Sequence, residues 1–211
     1  MNCCSGTDNF FSFFAKFYAR RLEKKGFEKS QKHLFNDLQR IGFANQSVLD
    51  IGCGTGYFHH QMIQSGAANA TGVDISKTMI EYAESLAGKK GLEEKTKYTI
   101  GDFVETHDQF GQHDVLVLDK VICCYPDSGK LIKLSASKCR NSYALSYPRD
   151  SWIPRLSFGV IRFFLTLMRS GFKPQVYPVL WVREQIEQAG FQRQSHWQDY
   201  FWISEVYQRK N

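Results

Sequence analysis

Residues 48–56 read VLDIGCGTG, an apolar run that ends in an acid and is followed by three glycines in five residues. A helical pattern starts immediately afterwards, at Tyr57. We therefore predict a strand, a tight turn and a helix N-terminus. Glycine has no Cβ and adopts positive φ, so a ligand can lie against the bare backbone of such a turn. The helix adds free N–H groups and the positive end of its dipole at the same place.

Strand and helix patterns alternate along the rest of the chain. Strands are predicted at 47–51, 70–74, 97–101, 114–118 and 141–146. Helices are predicted at 56–65, 77–87, 128–136 and 179–189, and aromatic runs at 191–197 and 200–207 indicate a closing antiparallel hairpin. The connections between the first five strands are long enough to make them parallel. The predicted fold class is α/β, a doubly wound, Rossmann-like sheet with helices on both faces and its ligand at the carboxyl ends of the strands.

The composition is that of an ordinary globular protein. The chain has 211 residues, of which 43% are hydrophobic and 23% charged, enough for one domain with a full core. We assign residues 45–211 to this domain and residues 1–44 to an N-terminal helical extension. The net charge is +6, but the basic residues are dispersed except in the predicted helix around Arg20, Arg21, Lys24 and Lys25. We interpret that group as a solvated helix face, so a nucleic-acid partner is not expected.

The six cysteines do not form a recognisable metal site. No pair has the C-x-x-C spacing and no histidine cluster accompanies them, so no metal is predicted. Cys53 and Cys139 are expected to be small buried apolar residues. This cysteine usage fits a reducing compartment. Residues 1–14 lack a basic start and are interrupted by Asp8, which is untypical of a signal peptide, so we expect a cytoplasmic protein.

Three features narrow the ligand of the glycine turn. The spacing is G-x-G-x-G, and Tyr57 stands where a dinucleotide-binding turn has its last glycine. Asp50 before the turn disfavours pyrophosphate and suits a cationic amine or sulfonium. Asp74 at the end of the second strand can accept hydrogen bonds from both hydroxyls of a ribose. Asp102 and Phe103 at the end of the third strand can bind the edge and the face of an adenine.

The motifs VLDIGCGTG, GVDIS, GDF and DVLVLDKVICCYPD resemble, in this order and spacing, those of class I S-adenosylmethionine (SAM)-dependent methyltransferases. The resemblance covers residues 45–146 and implies a seven-stranded sheet with an antiparallel last strand, SAM as cofactor and S-adenosylhomocysteine (SAH) as product. DKVICCYPD and the downstream YALSYPRDSW are more weakly similar to the magnesium-protoporphyrin O-methyltransferase group. The residues expected to contact the cofactor are Asp50, Gly52, Cys53, Gly54, Gly56, Tyr57, Asp74, Ile75, Met79, Asp102, Phe103, Asp119, Lys120, Val121, Tyr18 and Arg21.

Candidates for acting on the acceptor follow the fourth and fifth strands. Tyr125 follows the strand at the transfer site, and Tyr147 and Arg149 follow the next one. Arg149 could hold a substrate carboxylate with its planar guanidinium, or pair with Asp150 or another surface acid. His59 and His60 on the first helix are interpreted as polar surface residues, with a catalytic role for one of them as the alternative. We interpret Cys123 and Cys124 as packing residues.

Two segments outside the motifs are candidates for selecting the acceptor. Phe14, Tyr18 and Arg21 of the predicted N-terminal helix either pack on the sheet edge or form a lid over the cofactor. Residues 151–169 are strongly apolar, with Arg155, Arg162 and Arg169 recurring every seven residues. We favour a core-facing helix for this segment, with an interfacial helix in peripheral contact with a membrane as the alternative.

The main functional prediction is methylation of a small or medium-sized apolar or aromatic molecule, with O-methylation favoured and a carboxylate as one acceptor. Methylation of tRNA or rRNA is an alternative, motivated by the net charge and the basic N-terminal helix. A third hypothesis is a non-catalytic scaffold that keeps the fold but does not transfer a methyl group. We expect a monomer or a homodimer.

Overall fold

The computed structural model describes residues 20–167 and 172–210. Residues 20–25 are helical and end at Gly26, which has a φ of 68°. Helix α1 then runs over Lys29–Ile41. The described part of the predicted N-terminal extension is therefore helical, with a break at Gly26. The remainder of the predicted N-terminal helix, with Phe14 and Tyr18, lies outside the described residues.

Within the described residues, one sheet contains seven strands. They are β1 (Ser47–Ile51), β2 (Asn69–Asp74), β3 (Thr96–Ile100), β4 (His113–Asp119), β5 (Cys139–Pro148), β6 (Phe191–Gln198) and β7 (Trp202–Arg209). The order across the sheet is β3-β2-β1-β4-β5-β7-β6. The first five strands are parallel, and β7 is antiparallel to both β5 and β6. The predicted doubly wound sheet with a C-terminal hairpin is therefore confirmed.

Helices cover both faces of this sheet. They are α2 (Tyr57–Gln64), α3 (Lys77–Lys90), α4 (Phe103–Thr106), α5 (Ser128–Ser137), α6 (Trp152–Leu167) and α7 (Val179–Gln188). Successive strand residues point to opposite faces. In β4, Val115 and Val117 pack in the layer that contains α1 and α2, whereas Leu116 and Leu118 pack in the layer that contains α4, α5 and α7. Each face thus has its own apolar core, and Cys53 and Cys139 are buried as predicted.

Helix α6 contradicts the prediction that residues 151–169 face the core. Its buried residues are Pro154, Phe158 and Leu165, whereas most of its large apolar side chains are exposed. The prediction was wrong because other helices already cover both faces of the sheet, which leaves α6 outside them. Among the described helices, none combines the length and the hydropathy needed to cross a membrane.

Candidate active site

The turn after β1 has a backbone that favours glycine. Gly52, Gly54 and Gly56 have φ values of 66°, 54° and 71°. The Gly52 N–H donates to the Val73 carbonyl at 2.7 Å, which ties the turn to β2. A Cβ added at Gly52 would lie 2.6 Å from Val121 Cγ2, so the segment after β4 packs directly on the turn. The glycines therefore allow both the sharp turn and this close approach.

A cavity of about 360 Å³ lies beside the glycine turn. This volume is within the range of roughly 300–1,000 Å³ that small-molecule sites occupy. Its walls come from the carboxyl ends of β1 to β4, on both sides of the point where the strand order reverses. The lining residues are Ile51, Gly52, Gly54, Val73, Asp74, Ile75, Met79, Gly101, Asp102, Phe103, Asp119, Lys120, Val121, Cys124, Tyr125 and Leu131.

Three aspartates hold fixed positions around this cavity. Asp74, the last residue of β2, accepts the Gly54 N–H at 2.8 Å and the Ser76 N–H at 2.9 Å. Its carboxylate therefore fixes the glycine turn from the second strand. Asp102, which follows β3, caps α4 by accepting the Val104 N–H at 2.9 Å.

The third aspartate is Asp119, at the end of β4. It accepts hydrogen bonds from Gln31 Nε2 at 2.6 Å and from Ser146 Oγ at 2.5 Å. Gln31 belongs to α1 and Ser146 to β5, so two separate elements orient this carboxylate. Helix α1 therefore takes part in shaping the site.

Tyr125 closes one side of the cavity. It follows a short 3-10 turn at Ile122–Cys124, and its hydroxyl donates to Asp102 Oδ2 at 2.9 Å. This hydrogen bond joins the segment after β4 to the segment after β3. Tyr125 was predicted to act near the transferred group, and the structure places its hydroxyl on the carboxylate predicted to bind adenine.

Lys120 contributes positive charge at the cavity wall. It adopts a φ of 61°, and its ammonium pairs with Glu28 and lies 4.7 Å from the centroid of the Trp202 ring. Glu28 also pairs with Arg21, which does not line the cavity. Burial raises the pKa of Glu28, but Lys120 and Arg21 outweigh it and lower the pKa below its usual value. The glutamate is therefore ionised and fixes Lys120.

Asp50 lies behind the glycine turn rather than in the cavity. Its side chain points to the opposite face of the sheet from those of Leu49 and Ile51 in β1, and its Oδ2 is hydrogen-bonded to His59 Nδ1 at 2.8 Å. Burial, followed by the charge of Asp119, raises the pKa of Asp50 well above its usual value. Strand alternation thus turns this side chain into the core rather than into the cavity, and a contact of Asp50 with the cofactor through water or its backbone, which the resemblance implies, stays a prediction.

The two histidines of α2 are fully buried beneath the turn. The Tyr98 hydroxyl lies 3.2 Å from His59 Nε2 and 2.5 Å from His60 Nε2. Burial lowers the pKa of His59 to about 3 and that of His60 to about 2. Both rings are therefore neutral, and the hydrogen bond between His59 and Asp50 is made by an uncharged imidazole. The surface position expected for His59 and His60 was wrong.

Other predicted residues lie outside the cavity wall. Cys53 is buried, and Gly56 and Tyr57 lie where α2 begins. Tyr147 is also buried and donates its hydroxyl to Glu205 Oε2 at 2.8 Å, a position that argues against catalysis. Arg149 follows β5 without reaching the cavity wall. Asp150 pairs with Arg155, not with Arg149 as one reading expected.

Sequence reasoning missed several residues that line the cavity. They are Ile51, Val73, Gly101, Cys124 and Leu131. The first three are next to predicted ligand-binding residues at the ends of strands, so the sequence could have indicated that they line the cavity. Cys124 was read as packing and Leu131 as part of an ordinary helix. Their exposure to the cavity depends on how α5 lies on the sheet, which the sequence pattern does not specify.

A family profile described as "Methyltransferase domain" matches residues 43–180, which include the glycine turn, the cavity and α6. The chain belongs to this methyltransferase family. The predicted resemblance to class I SAM-dependent methyltransferases, with SAM as cofactor, is thereby confirmed. The assignment of individual residues to the cofactor stays a prediction.

Individual relatives differ in their acceptors. The ubiquinone biosynthesis O-methyltransferase of Marinobacter nauticus is 30% identical over 100 residues, which cover 47% of this chain and 42% of the relative. Protein arginine N-methyltransferase 1 of Saccharomyces cerevisiae is 27% identical over 120 residues, covering 45% of this chain and 34% of the relative. The chain thus spans less than half the length of these curated relatives.

Among solved structures, magnesium protoporphyrin IX methyltransferase (ChlM) from Synechocystis PCC 6803, crystallised with SAH, has a TM-score of 0.73. It is 16% identical, and the match covers 97% of this chain and 98% of that one. At this identity the likeness shows the fold. The overall fold is therefore shared with a methyltransferase.

Proposed function

We propose that this protein transfers a methyl group from SAM to an oxygen of a small or medium-sized apolar acceptor, with a carboxylate as the acceptor group. The observation that carries the proposal is the cavity at the carboxyl ends of β1 to β4, where a glycine turn faces the aspartates of the next two strands. When bound, SAM supplies a methyl group made electrophilic by its sulfonium.

The side chains around the cavity fit the chemistry of SAM. We assign the ribose diol to Asp74, since a carboxylate accepts from two hydroxyls. We assign the adenine to the space between Ile75, Met79 and Phe103, with Asp102 accepting from its amino group. A Cβ added at Gly54 would meet no protein atom within 4 Å, so this part of the turn offers open space to a ligand.

The methionine end is assigned to Gly52 and to the segment from Asp119 to Val121. Asp119 is held by Gln31 and Ser146, so its carboxylate is already oriented to accept from an ammonium group. Val121 packs against Gly52 and restricts how the chain can move there. These residues would align the donor, and alignment is the main contribution that a protein makes to a displacement of this kind.

The ionisable groups around the cavity favour an acceptor that is already nucleophilic. The three aspartates of the cavity wall each accept hydrogen bonds from the protein. No histidine is present among the described residues that line the cavity. A phenol or an amine commonly requires a general base, whereas a carboxylate does not at neutral pH. Lys120, the cationic residue of this lining, shares Glu28 with Arg21, so these three groups together keep a net positive charge, the sign that a carboxylate acceptor requires.

The donor site is tested by isothermal titration of the protein with SAH. We expect saturable binding to the wild-type chain and a large loss of affinity in Asp74→Ala. Asp127→Asn is the matched control, since Asp127 caps α5 away from the cavity and asparagine keeps that cap. Absence of SAH binding to the wild-type protein would refute the proposal.

The acceptor is tested with SAM carrying a tritiated methyl group and panels of apolar carboxylic acids, phenols and amines. A methyl ester releases its label as volatile methanol in base, whereas aryl ethers and N-methyl groups keep it. We expect base-labile label with carboxylic acids. Base-stable label would contradict the carboxylate, and label recovered in added tRNA would favour the RNA alternative instead.

A further inference from the structure

Helix α6 exposes an apolar face that packs against no described part of the protein. Trp152, Leu156, Phe163 and Leu167 are 73%, 60%, 67% and 73% exposed. Single exposed apolar residues are common, but a contiguous patch of this kind indicates an interaction site. The patch lies on the segment that connects β5 with α7, outside the cavity described above.

The exposed and buried residues of α6 occupy opposite sides of the helix. At about 100° per residue, Pro154, Phe158 and Leu165 share one line, which packs toward the protein. The exposed residues recur at intervals of three or four along the opposite line, from Trp152 to Leu167. The helix is thus fixed to the protein by its buried line, and the apolar face points directly outward.

The charges on α6 are all of one sign. The stretch Trp152–Leu167 contains Arg155 and Arg162 and no acidic residue. Spaced by seven residues, the two arginines lie together on the border between the buried line and the exposed face. Asp150, just before the helix, pairs with Arg155, which leaves Arg162 as the less compensated charge.

We propose that α6 docks the protein on an anionic lipid surface, with Trp152, Leu156 and Phe163 inserted and Arg162 at the level of the headgroups. A face of Trp, Phe and Leu bordered by arginine is the composition of helices that lie in the membrane interface. A second copy is the less suitable occupant. Two α6 faces packed together would juxtapose arginines with no acid on either helix to pair with them.

The test is co-sedimentation of the full chain with vesicles of phosphatidylcholine alone and with vesicles of phosphatidylcholine and phosphatidylglycerol in equal amounts. We expect binding to the anionic vesicles and weaker binding to the neutral ones. The Leu156→Gln/Phe163→Gln variant should bind the anionic vesicles at least about tenfold more weakly, because two inserted side chains are lost. Arg162→Gln should weaken this binding roughly fivefold.

Leu180→Gln is the matched control, because Leu180 is also highly exposed, at 70%, but lies on α7. It should leave vesicle binding unchanged. Trp152 adds a spectroscopic readout: vesicles should shift the tryptophan emission to shorter wavelength, and Trp152→Phe should lose that shift while still binding. Failure of the wild-type protein to co-sediment with anionic vesicles at low salt would overturn the proposal.

Two further outcomes would also overturn it. One is equal vesicle binding by the wild type and the Leu156→Gln/Phe163→Gln variant. The other is a wild-type dimer, seen by analytical ultracentrifugation, that this variant dissociates and that vesicles do not displace. None of these measurements depends on methyl transfer, so the docking proposal can fail independently of the proposed function.

Discussion

Two glycines of the turn after β1, Gly52 and Gly54, have similar φ values but different structural surroundings. Gly52 is packed against Val121, whereas a Cβ at Gly54 would meet open space. Alanine costs roughly 1–2 kcal/mol at positive φ, so both substitutions should lower the free energy of unfolding. We expect Gly52→Ala to lose a further ~1–3 kcal/mol through overpacking. Gly54→Ala should instead weaken SAH binding about tenfold, because the methyl group enters the ligand's space.

Urea denaturation and calorimetric titration with SAH separate these two effects. Val121→Ala placed in the Gly52→Ala background should recover part of the lost stability, since it removes the atom that collides. In the Gly54→Ala background it should recover none. Equal losses of stability in both single variants would contradict this division of roles.

His60 provides a residue-scale prediction about pH. Its pKa falls from 6.5 to about 2 in the folded chain. Below pH 6.5 the unfolded chain therefore takes up a proton that the native chain does not, and stability is lost as the pH falls. For one such group the loss is about 1.4 kcal/mol per pH unit. His60→Gln, which can still accept from the Tyr98 hydroxyl, should remove that contribution.

The measurement is urea denaturation of wild type and His60→Gln at several values between about pH 6.5 and pH 4. The difference in unfolding free energy should change steadily with pH over this interval. Asp50 has a raised pKa and acts in the opposite direction, but it does so in both proteins and cancels in the difference. A difference that is constant with pH would contradict a buried, neutral His60.

At the scale of elements, the hairpin of β6 and β7 is held to α7 by a buried carboxylate. Glu205 is fully buried and accepts from the Tyr147 and Tyr207 hydroxyls and from Arg183 and Arg193. Burial raises the pKa of Glu205, but the hydrogen bonds from Tyr147, Tyr207 and Arg183 outweigh it and lower the pKa. The carboxylate is therefore ionised and depends on its partners.

Removing the more buried cationic partner should leave this charge less well compensated, because only Arg193 and His196 of the described residues then remain on the same oxygen. Arg183 Nη2 lies 2.7 Å from Glu205 Oε1, and Arg193 Nη1 lies 3.2 Å from the same atom and is more exposed. We expect Arg183→Leu to lower the free energy of unfolding by about 3 kcal/mol, as for other broken buried pairs. Arg193→Leu should cost clearly less. Equal effects in urea denaturation would show that Arg183 does not carry the compensation.

Elements were predictable from the sequence where one local pattern decides them. β1 and β4 are apolar runs bounded by glycine or aspartate, and their limits were found to within a residue or so. The outward face of α6 was not predictable, because periodicity shows that a helix has an apolar side but not what covers it. The hydrogen bonds of Glu205 join residues of β5, β7 and α7. These residues are far apart in the sequence, so no pattern within a single element predicts that they meet.

At the scale of the whole molecule, the sheet topology made the position of the cavity predictable but not the full set of side chains that line it. Strand ends carrying Asp74, Asp102 and Asp119 meet at one edge of any sheet wound in this order. Which side chains face that edge depends on parity and on long-range partners. The side chain of Asp50 points to the face of the sheet away from the cavity. The Tyr147 hydroxyl is hydrogen-bonded to Glu205, and Asp119 is oriented by Gln31, which lies 88 residues earlier in the chain.

Because the cavity walls come from residues as far apart as Ile51 and Leu131, the ligand site exists only in the folded chain. SAH at a hundredfold excess over its Kd should therefore stabilise the native state by about 2.7 kcal/mol. For a chain of this size that corresponds to a rise in Tm of roughly 5–10 °C. Calorimetric scans of wild type, Asp74→Ala and Asp127→Asn check this. The rise should persist in Asp127→Asn and largely vanish in Asp74→Ala, and an undiminished rise in Asp74→Ala would place the ligand elsewhere.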